Sequence, residues 1–529
     1  MRLLPIMLTV AIGLVLLFPL GTAEPAQKVL SIALGQEPDS LNPVDENNVY
    51  ECNKVFSGLI KSDENLKMTP DLAESWEVLQ SGKEYVFHLR KNVTWQDGVP
   101  FKADDVKFTY DLLKSQNWAS VLTTSYDYKN IDVVKIVDDY TVQFSVHDGI
   151  VPFQEKFTTP ILPKHLLEGQ DLANTDFWLH PVGIGPYKFV EWNKGEDLVL
   201  TANHDYYGSK PKIETVKYVF VPDVNARVSL LKEGEVDAIK LDPRSESALN
   251  GTSGIKIIDT PAANWYSLSL PNNIWPLEIK EVRQAIAYAI DKQEILDTVF
   301  FGRGEIAYGP YRKANWVYNP DVAYSYDPEK AKQLLASAGF VDSDGDGILE
   351  KDGKKLQFDL VYASSEKERE DLAIAVKGEL GKVGISVNPV AKTFDEFDYD
   401  LIHNHALTHC YGTAFDPDNI KHNFESSYID ETVGGSWGDA SSYVNPEVDK
   451  LLQEGRTTWD NESRKAQYQK LQKILVGDQP FVFIVFSDYL YAVSDKITGI
   501  KPRFSPHGYE NGALIGELWW NVDEWDIKE

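Results

Sequence analysis

The stretch that decides the fold runs from Lys217 to Ile239 and reads KYVFVPDVNARVSLLKEGEVDAI. Residues 218–221 are aromatic or β-branched and predict a strand, and the Pro-Asp pair after them predicts a turn. A helical segment then extends to the glycine at position 234, and VDAI predicts a second strand. Because this strand–helix–strand order is typical of α/β proteins, we predict an α/β fold.

A second stretch alternates in a similar way. Residues 85–113 read YVFHLRKNVTWQDGVPFKADDVKFTYDLL, in which a strand-like alternation is followed by turn residues. The ADD at 103–105 then opens an amphipathic helix, with two carboxylates in its first turn where the helix dipole favours them. Farther along, residues 281–299 carry apolar side chains at helical spacing and predict one long helix.

The length of the chain excludes a single ordinary domain. Its 529 residues exceed the roughly 250–300 at which one hydrophobic core stops growing, so we expect two or more lobes. Apolar residues make up 43% and charged residues 25%, as in folded proteins generally. No internal repeat or low-complexity linker separates the lobes, which predicts that they interdigitate along the chain.

The N-terminus has the pattern of a secretion signal. Arg2 precedes an almost wholly apolar run, Leu3–Leu20, and small residues follow at 21–23. We predict a signal peptide over 1–23; the alternative is an uncleaved membrane anchor, since the run approaches the roughly 20 residues of a spanning helix. Both readings place residues 24–529 outside the cytoplasm, in the periplasm or at the cell surface.

Charge and motif content narrow the class of protein. The formal charge is −29, and removal of Arg2 with the signal brings it to −30. This acidity argues against binding to nucleic acid or anionic lipid. Cys52 and Cys410 lie far apart in the sequence; export permits a disulfide between them but does not establish one. The sequence has no nucleophile elbow, His-Glu-x-x-His or phosphate loop, which argues against an enzyme.

Eight short segments then occur in an order that resembles one protein family. They are LNP (41–43), LAESWEV (72–78), the stretch 85–113, PVGIGPYKF (181–189), VRQAIAYAIDKQEIL (282–296), YDPEKAKQLLASAGF (326–340), DPDN (416–419) and YVNPEVDKLL (443–452). In this order they resemble the peptide/nickel-type (family 5) extracytoplasmic solute-binding proteins of ABC importers. The resemblance extends over nearly the whole mature chain.

This resemblance implies a fold of the type II periplasmic-binding-protein kind. Two α/β lobes would be joined by two crossing strands, and lobe one would carry an extra subdomain. Hinge closure around a ligand is the motion expected of such a protein. Carried over to this sequence, the core of lobe one would comprise 28–55, 182–263 and 492–529, its subdomain 56–181, and lobe two 264–491.

The resemblance also implies a function. The protein would capture a small, oligopeptide-like solute between its lobes and deliver it to the permease subunits of an ABC importer, whose ATPases are separate chains. Two alternatives stay open: a receptor for nickel or a metal chelate, and a ligand sensor coupled to a signalling receptor. We expect a monomer, and no cofactor is certain.

The sequence lacks one of the residues with which the peptide receptors of the family recognise their ligand. Peptide receptors of the family hold the free amino group of the ligand with an aspartate a few residues before the Asp-Pro-Asp-Asn motif. The place of that aspartate falls on Thr413, which cannot supply the charge that pairs a buried ammonium. Two tryptophans are further ligand-binding candidates: Trp265, where the chain would cross into lobe two, and Trp437, on a glycine-rich loop.

The nickel-type branch matches only in part. Its Trp-Gly-x-x-Tyr-Asp-Pro pattern resembles the run from Tyr411 to Phe415 and on through the Asp-Pro pair, and a tryptophan matches Trp118. Aromatic faces there would stack on an organic ligand. The arginines of that branch are missing, with Ser115 at one place and no arginine between residues 153 and 163 at the other. The sequence therefore lacks both the aspartate of the peptide receptors and the arginines of the nickel-type branch, and it leaves the ligand class open.

A histidine-rich segment, LIHNHALTHCYG, occupies residues 401–412. Aligned on the following motif, it predicts a helix at about 394–403 and a strand at about 405–411. Odd positions of the strand share one face, so His409 and Tyr411 would point toward the cleft. Two histidines four apart on a strand are separated by about 13 Å, which disfavours a metal held directly by this cluster.

A second metal candidate is the loop DSDGDGILEKDG, residues 342–353. Acidic residues stand at positions one, three, five and nine of a calcium-loop pattern, and a glycine stands at position six. Position twelve, where a bidentate carboxylate belongs, is Gly353. The alternative is an acidic turn without a metal. The predicted calcium ligands are Asp342, Asp344, Asp346 and Glu350.

Overall fold

A computed structural model describes residues 27–44, 54–115, 128–412, 416–429, 439–505 and 518–528. The predicted signal peptide and Cys52 lie outside these ranges. The strands are β1 (Val29–Leu34), β2 (Ile60–Ser62), β3 (Met68–Pro70), β4 (Ala73–Leu79), β5 (Glu84–Leu89), β6 (Ile131–Asp138), β7 (Thr141–Val146), β8 (Tyr187–Asn193), β9 (Asp197–Ala202), β10 (Thr215–Phe220), β11 (Ala238–Leu241), β12 (Ile255–Ser269), β13 (Gly304–Ile306), β14 (Glu350–Lys351), β15 (Lys354–Lys355), β16 (Gln357–Ala363), β17 (Ser386–Lys392), β18 (Ala406–Gly412), β19 (Phe481–Ser494), β20 (Ile497–Thr498) and β21 (Asp526–Ile527).

The helices alternate with these strands, so the class is α/β as predicted. They are α1 (Ala103–Leu113), α2 (Lys164–Leu167), α3 (Val224–Glu233), α4 (Lys280–Ala289), α5 (Lys292–Thr298), α6 (Pro328–Ser337), α7 (Lys367–Gly381), α8 (Tyr399–Asn404), α9 (Lys421–Phe424), α10 (Pro446–Thr457) and α11 (Asn461–Asp478). Within the described ranges, none of the helices combines the length and the apolar character that crossing a membrane requires.

The stretch from Lys217 to Ile239 folds as predicted. Asp223 caps α3 by accepting a hydrogen bond from the backbone N–H of Ala226 at 2.8 Å, and Gly234 ends the helix in a left-handed conformation. The strands on either side, β10 and β11, both pair in parallel with β1. Their apolar faces, together with β8, β9 and Trp519, form the first core.

Residues 85–113 belong to a separate hydrophobic cluster, the second core. Here β4, β5, β7 and β6 form a four-stranded antiparallel sheet in that order. Helix α1 packs on it through Val106, Tyr110 and Leu113, one apolar stripe at helical spacing. The backbone N–H of Lys102 donates to Asp105 at 3.0 Å, which fixes the start of the helix.

The third core is built from two adjoining clusters around β16, β17 and β18. The prediction of one long helix over residues 281–299 is wrong, because these residues form two helices, α4 and α5. The break falls at Ile290 and Asp291, where the Asp291 carboxylate accepts hydrogen bonds from the N–H groups of Gln293 and Glu294, both at 3.1 Å. A new N-cap inside the apolar pattern therefore starts a second helix.

Two long strands, β12 and β19, belong to both halves of the main sheet. The strand order is β17-β16-β18-β12-β19-β11-β1-β10-β9-β8, with β13 also paired to β19. The first part of β12 pairs with the end of β19 beside the first core, and the last part pairs with the start of β19 in the third core. The register between them shifts from Pro261 to Trp265, so the ladder is interrupted where the chain passes between the two cores.

Candidate ligand-binding cleft

A cavity of about 580 Å³ lies between the second and third cores. Its volume falls within the roughly 300–1,000 Å³ of small-molecule sites. One wall comes from residues 129–156 and the other from residues 419–457. Charged side chains of both signs line it: Lys129, Lys156, Lys421, Arg456, Asp148, Glu155 and Glu425. A ligand in this cavity would touch both cores.

The third-core wall rests on the Asp-Pro-Asp-Asn motif. The Asp416 side chain accepts a hydrogen bond from the N–H of Asp418 at 2.9 Å and so caps the 3₁₀ turn Pro417–Ile420. The same carboxylate pairs with Arg464 of α11, one N–H donating at 2.5 Å. Both side chains are nearly buried, so the motif holds its loop against α11 with a desolvated ion pair.

Arg456 of α10 extends this wall into the cavity. Its guanidinium donates to Asp418 at 2.8 Å and to Glu425 at 2.5 Å. Burial raises the pKa of Asp418, although Lys421 and Arg456 oppose that shift. Glu425 also accepts from Gln453 at 3.1 Å. The anionic side chains on this wall are therefore already matched by cations or amide donors.

The second-core wall carries Glu155 on the 3₁₀ segment Val151–Thr158. The side chain is half-buried, and its carboxylate makes no hydrogen bond or ion pair with any residue that the structure describes. Burial, and next the negative charge of Asp416, raises the pKa of Glu155 to about 8; Lys156 and Arg464 act in the opposite sense. At neutral pH this carboxyl group is mostly protonated when the cavity holds no ligand.

Comparison with known proteins assigns the family. Residues 67–432 match the family described as "Bacterial extracellular solute-binding proteins, family 5 Middle". That match spans more than half of the chain. The protein belongs to this family. As a family 5 protein it is a solute-binding receptor of an ABC importer, not an enzyme, and the predicted family is confirmed.

Individual relatives and solved structures are similar to this chain over most of its length. The oligopeptide-binding protein AppA of Bacillus subtilis (strain 168) is 31% identical over 481 residues, which cover 88% of this chain and 86% of AppA. NikZ from Campylobacter jejuni, solved in complex with Ni(L-His), is 32% identical with a TM-score of 0.81, over 94% of this chain and 99% of NikZ. The structure of AppA with a nonapeptide is 29% identical with a TM-score of 0.77, over 96% and 100%.

Three of the predicted ligand residues of this family 5 protein lie together in the third core. The ring of His409 stacks on Trp265 with centroids 5.6 Å apart, and Tyr411 lies 5.7 Å from the same indole. Trp265 and His409 are 0% and 2% exposed, while Tyr411 is half-buried. The strand β18 forms as predicted, and its odd-numbered face packs on this aromatic cluster. Trp118, Thr413, Phe415 and Trp437 lie outside the described residues.

The histidines N-terminal to β18 have ordinary structural partners. The Nδ1–H of His403 donates to the carbonyl of Tyr399 at 2.8 Å, and that of His405 donates to Leu401 at 3.2 Å. Both rings thus sit at the C-terminal end of α8. Among the described residues, the histidines do not converge with other ligands on a metal position.

The predicted calcium loop does bring carboxylates together. Ligand atoms of Asp342, Asp344 and Glu350 lie within 4.8 Å of one another. However, the ammonium of Lys355 is 2.8 Å from Asp344, 3.0 Å from Asp346 and 2.9 Å from Glu350. These contacts raise the pKa of Lys355, and hydrogen bonds from Ser343 and then from Lys355 lower that of Glu350. A lysine therefore supplies positive charge to the cluster, and calcium binding stays a prediction.

Sequence reasoning missed Glu155 and Arg456. Apolar periodicity can predict the secondary structure around both residues. It does not indicate that a single glutamate or arginine faces a cavity, and no motif does so either. The carboxylate of Glu155 and the guanidinium of Arg456 come from segments about 300 positions apart in the chain. Only the packing of the second core against the third places them on opposite walls.

Proposed function

We propose that the protein captures an oligopeptide-like solute in the cavity between its second and third cores. The observation that carries the proposal is the position of that cavity, which is walled by both cores and lined by charges of both signs. A zwitterionic solute such as a peptide has matching charges at its two ends. The size of the cavity suits a short peptide.

The similarity to AppA supports a peptide ligand. AppA is an oligopeptide-binding protein, and its solved structure holds a nonapeptide. The similarity covers nearly the whole of both chains, so the site region is included in it.

Closure of two lobes around the solute is the proposed motion. Lobe one would comprise 28–55, 182–263 and 492–529 with the subdomain 56–181, and lobe two would comprise 264–491. The hinge would lie on β12 and β19 at their register shift. Arg312 is well placed to hold it, since its guanidinium donates to the carbonyl of Ala262 at 3.0 Å and pairs with Asp488 at 2.6 Å.

In the cell, the closed form would dock on the permease subunits of an ABC importer, and the solute would pass to them while separate ATPases hydrolyse ATP. The protein would act as a monomer in the periplasm or at the cell surface. The formal net charge of the chain, −29, would disfavour binding to nucleic acid or anionic lipid.

A nickel or metal-chelate ligand is the second candidate. The similarity to NikZ, solved with Ni(L-His), favours it. Two imidazoles, those of His147 and His422, line the cavity from opposite walls. Imidazole is a good ligand for nickel, so these two side chains could complete the coordination of a chelated ion.

Mass spectrometry of the solute released from purified protein tests the proposal. The protein is purified without refolding, denatured, and the released small molecules and metals are identified and quantified. A peptide recovered at close to one equivalent supports the proposal. Nickel or an organic chelate at that yield favours the second candidate and contradicts the peptide assignment.

A further inference from the structure

The position of Glu155 in the cavity is fixed by its neighbours. Phe153 and Phe157, on either side of it, pack in the second core with their rings 5.5 Å apart. The hydroxyl of Thr158 donates to the carbonyl of Glu155 at 2.8 Å, and Tyr110 donates to the carbonyl of Lys156 at 3.1 Å. The backbone is thus anchored below the cavity wall, and the Glu155 side chain belongs to its lining.

Glu155 differs from the other carboxylates around the cavity. Glu425 is paired with Arg456, and Asp416 is paired with Arg464. Asp148 is exposed to solvent. Glu155 is half-buried and, within the described ranges, makes no ion pair. A desolvated carboxyl group without a partner is costly to ionise, so an incoming cation would gain a favourable contact there.

We propose that Glu155 receives the ammonium group of the solute. The proposal rests on the proposed function and specifies its ligand: a solute with a free primary amine at one end. The charges of Arg456 and Lys421 on the opposite wall are already offset by Asp418 and Glu425, so the proposal assigns only the amine end of the solute. Glu155 would then supply the negative charge that Thr413 cannot supply.

Binding of the solute's ammonium group would release one proton from Glu155 to the solvent. The carboxyl group of Glu155 is mostly protonated in the empty cavity, as its pKa of about 8 implies. When the ammonium pairs with it, the carboxyl O–H releases its proton to the solvent, and the carboxylate and ammonium remain as an ion pair. Four charged groups set this equilibrium: Asp416 favours the protonated acid, Lys156 and Arg464 favour the carboxylate, and the bound ammonium adds to them.

A pair of probes and a pair of variants test the assignment. The probes are a mixture of tripeptides with free N-termini and the same mixture N-acetylated. The variants are Glu155→Gln and, as the matched control, Glu235→Gln, which neutralises an exposed carboxylate outside the cavity. Glu155→Gln resembles the protonated acid in shape and charge, so we expect it to fold with wild-type thermal stability.

We expect the free-amine mixture to bind the wild-type protein and Glu235→Gln equally well, and to bind Glu155→Gln at least about tenfold more weakly. The acetylated mixture should bind none of them well. Near pH 7, a pH indicator in weakly buffered solution should report about one proton released per bound peptide for the wild type and none for Glu155→Gln.

Three results would overturn the assignment: equal binding by Glu155→Gln and wild type, equal binding of the two mixtures, or no binding of either. These failures are distinguishable from failure of the proposed function, which mass spectrometry of the released solute tests independently. A peptide recovered from the wild-type protein together with unchanged binding by Glu155→Gln would leave the receptor function standing and move the amine site elsewhere.

Discussion

Asp416 and Arg464 illustrate how a short motif acts through its contacts. Their side chains are 8% and 3% exposed, and the guanidinium also donates to the carbonyl of Gly455 at 2.7 Å. Two buried charges that satisfy one another are tolerated, whereas one buried charge alone is strongly destabilising. The Asp416–Arg464 pair therefore fixes the wall of the cavity, although neither side chain lines it.

Asp416→Asn should lower the free energy of unfolding by about 3–5 kcal/mol, because it leaves Arg464 buried and unmatched. Denaturant unfolding measures the change. The control is Asp321→Asn, which breaks an exposed pair with Lys473 and should cost less than about 1 kcal/mol. The double variant Asp416→Asn/Arg464→Gln should recover part of the loss; equal effects at Asp416 and Asp321 would contradict this account.

Lys355 gives a second prediction, for the acidic loop. Replacing it with methionine removes the cation among Asp344, Asp346 and Glu350, so their mutual repulsion should lower the melting temperature. Added calcium should then restore it, and should stabilise the wild-type protein much less. A ligand at a hundred times its dissociation constant stabilises by about 2.7 kcal/mol. If calcium changes neither melting temperature, the calcium-loop interpretation is wrong.

These examples show which residue roles a sequence can reveal. The Asp-Pro-Asp-Asn motif and the Asp/Gly loop carry recognisable spacing, and both were found. Lys355 was missed as the partner of the loop, because it lies beyond the twelve-residue pattern and comes back to it through the short β14–β15 hairpin. His409 was expected to face the cleft; its contact with Trp265 depends on the pairing of β12 with β18, which no local pattern specifies.

Among the helices, the junction between α10 and α11 contacts the second core. Trp459 at this junction donates its indole N–H to the carbonyl of Gly149 at 3.0 Å, which joins the third core to the second. The indole packs on Gly82, where an added Cβ would come within 2.0 Å of the ring. Gln80, Ser81 and Gly82 all have positive φ, so this turn is shaped to receive the ring at some conformational cost.

Trp459→Phe should keep the ring contact and lose the hydrogen bond, which predicts faster release of the solute with little change in unfolding. Stopped-flow dissociation of the solute recovered from the protein measures the rate. Removing one such bond should change the rate by roughly tenfold or less. Trp316→Phe is the matched control, an indole of similar exposure away from the second core. Equal rates in Trp459→Phe and wild type would show that the contact does not hold the closed form.

The sequence predicted the existence of elements better than their ends. The β10–α3–β11 unit and α1 follow directly from apolar spacing, helix caps and the proline and glycine residues that form turns. Residues 281–299 were predicted as one helix because the apolar spacing continues across Asp291. The apolar pattern is compatible with Asp291 as an interior residue of one helix or as the N-cap of a second helix. In the structure Asp291 is an N-cap.

For the molecule as a whole, the order of segments carried more information than any single motif. It predicted an α/β, two-lobed protein, and the family comparison confirms the class and the receptor function. It did not give the contacts across the cavity, because residues 129–156 and 419–457 meet only when two cores pack together. The same holds for Arg244, which reaches from beside β11 to Glu368 and Asp371 of α7 at 2.5 and 2.8 Å.

A crystal structure of the protein with the solute that it retains through purification would show directly where that solute binds. We predict density for the solute in the cavity of about 580 Å³, in contact with residues 129–156 on one side and 419–457 on the other. Its amino group should lie within hydrogen-bonding distance of Glu155. A solute bound against one core alone, or in another cavity, would contradict binding between the second and third cores.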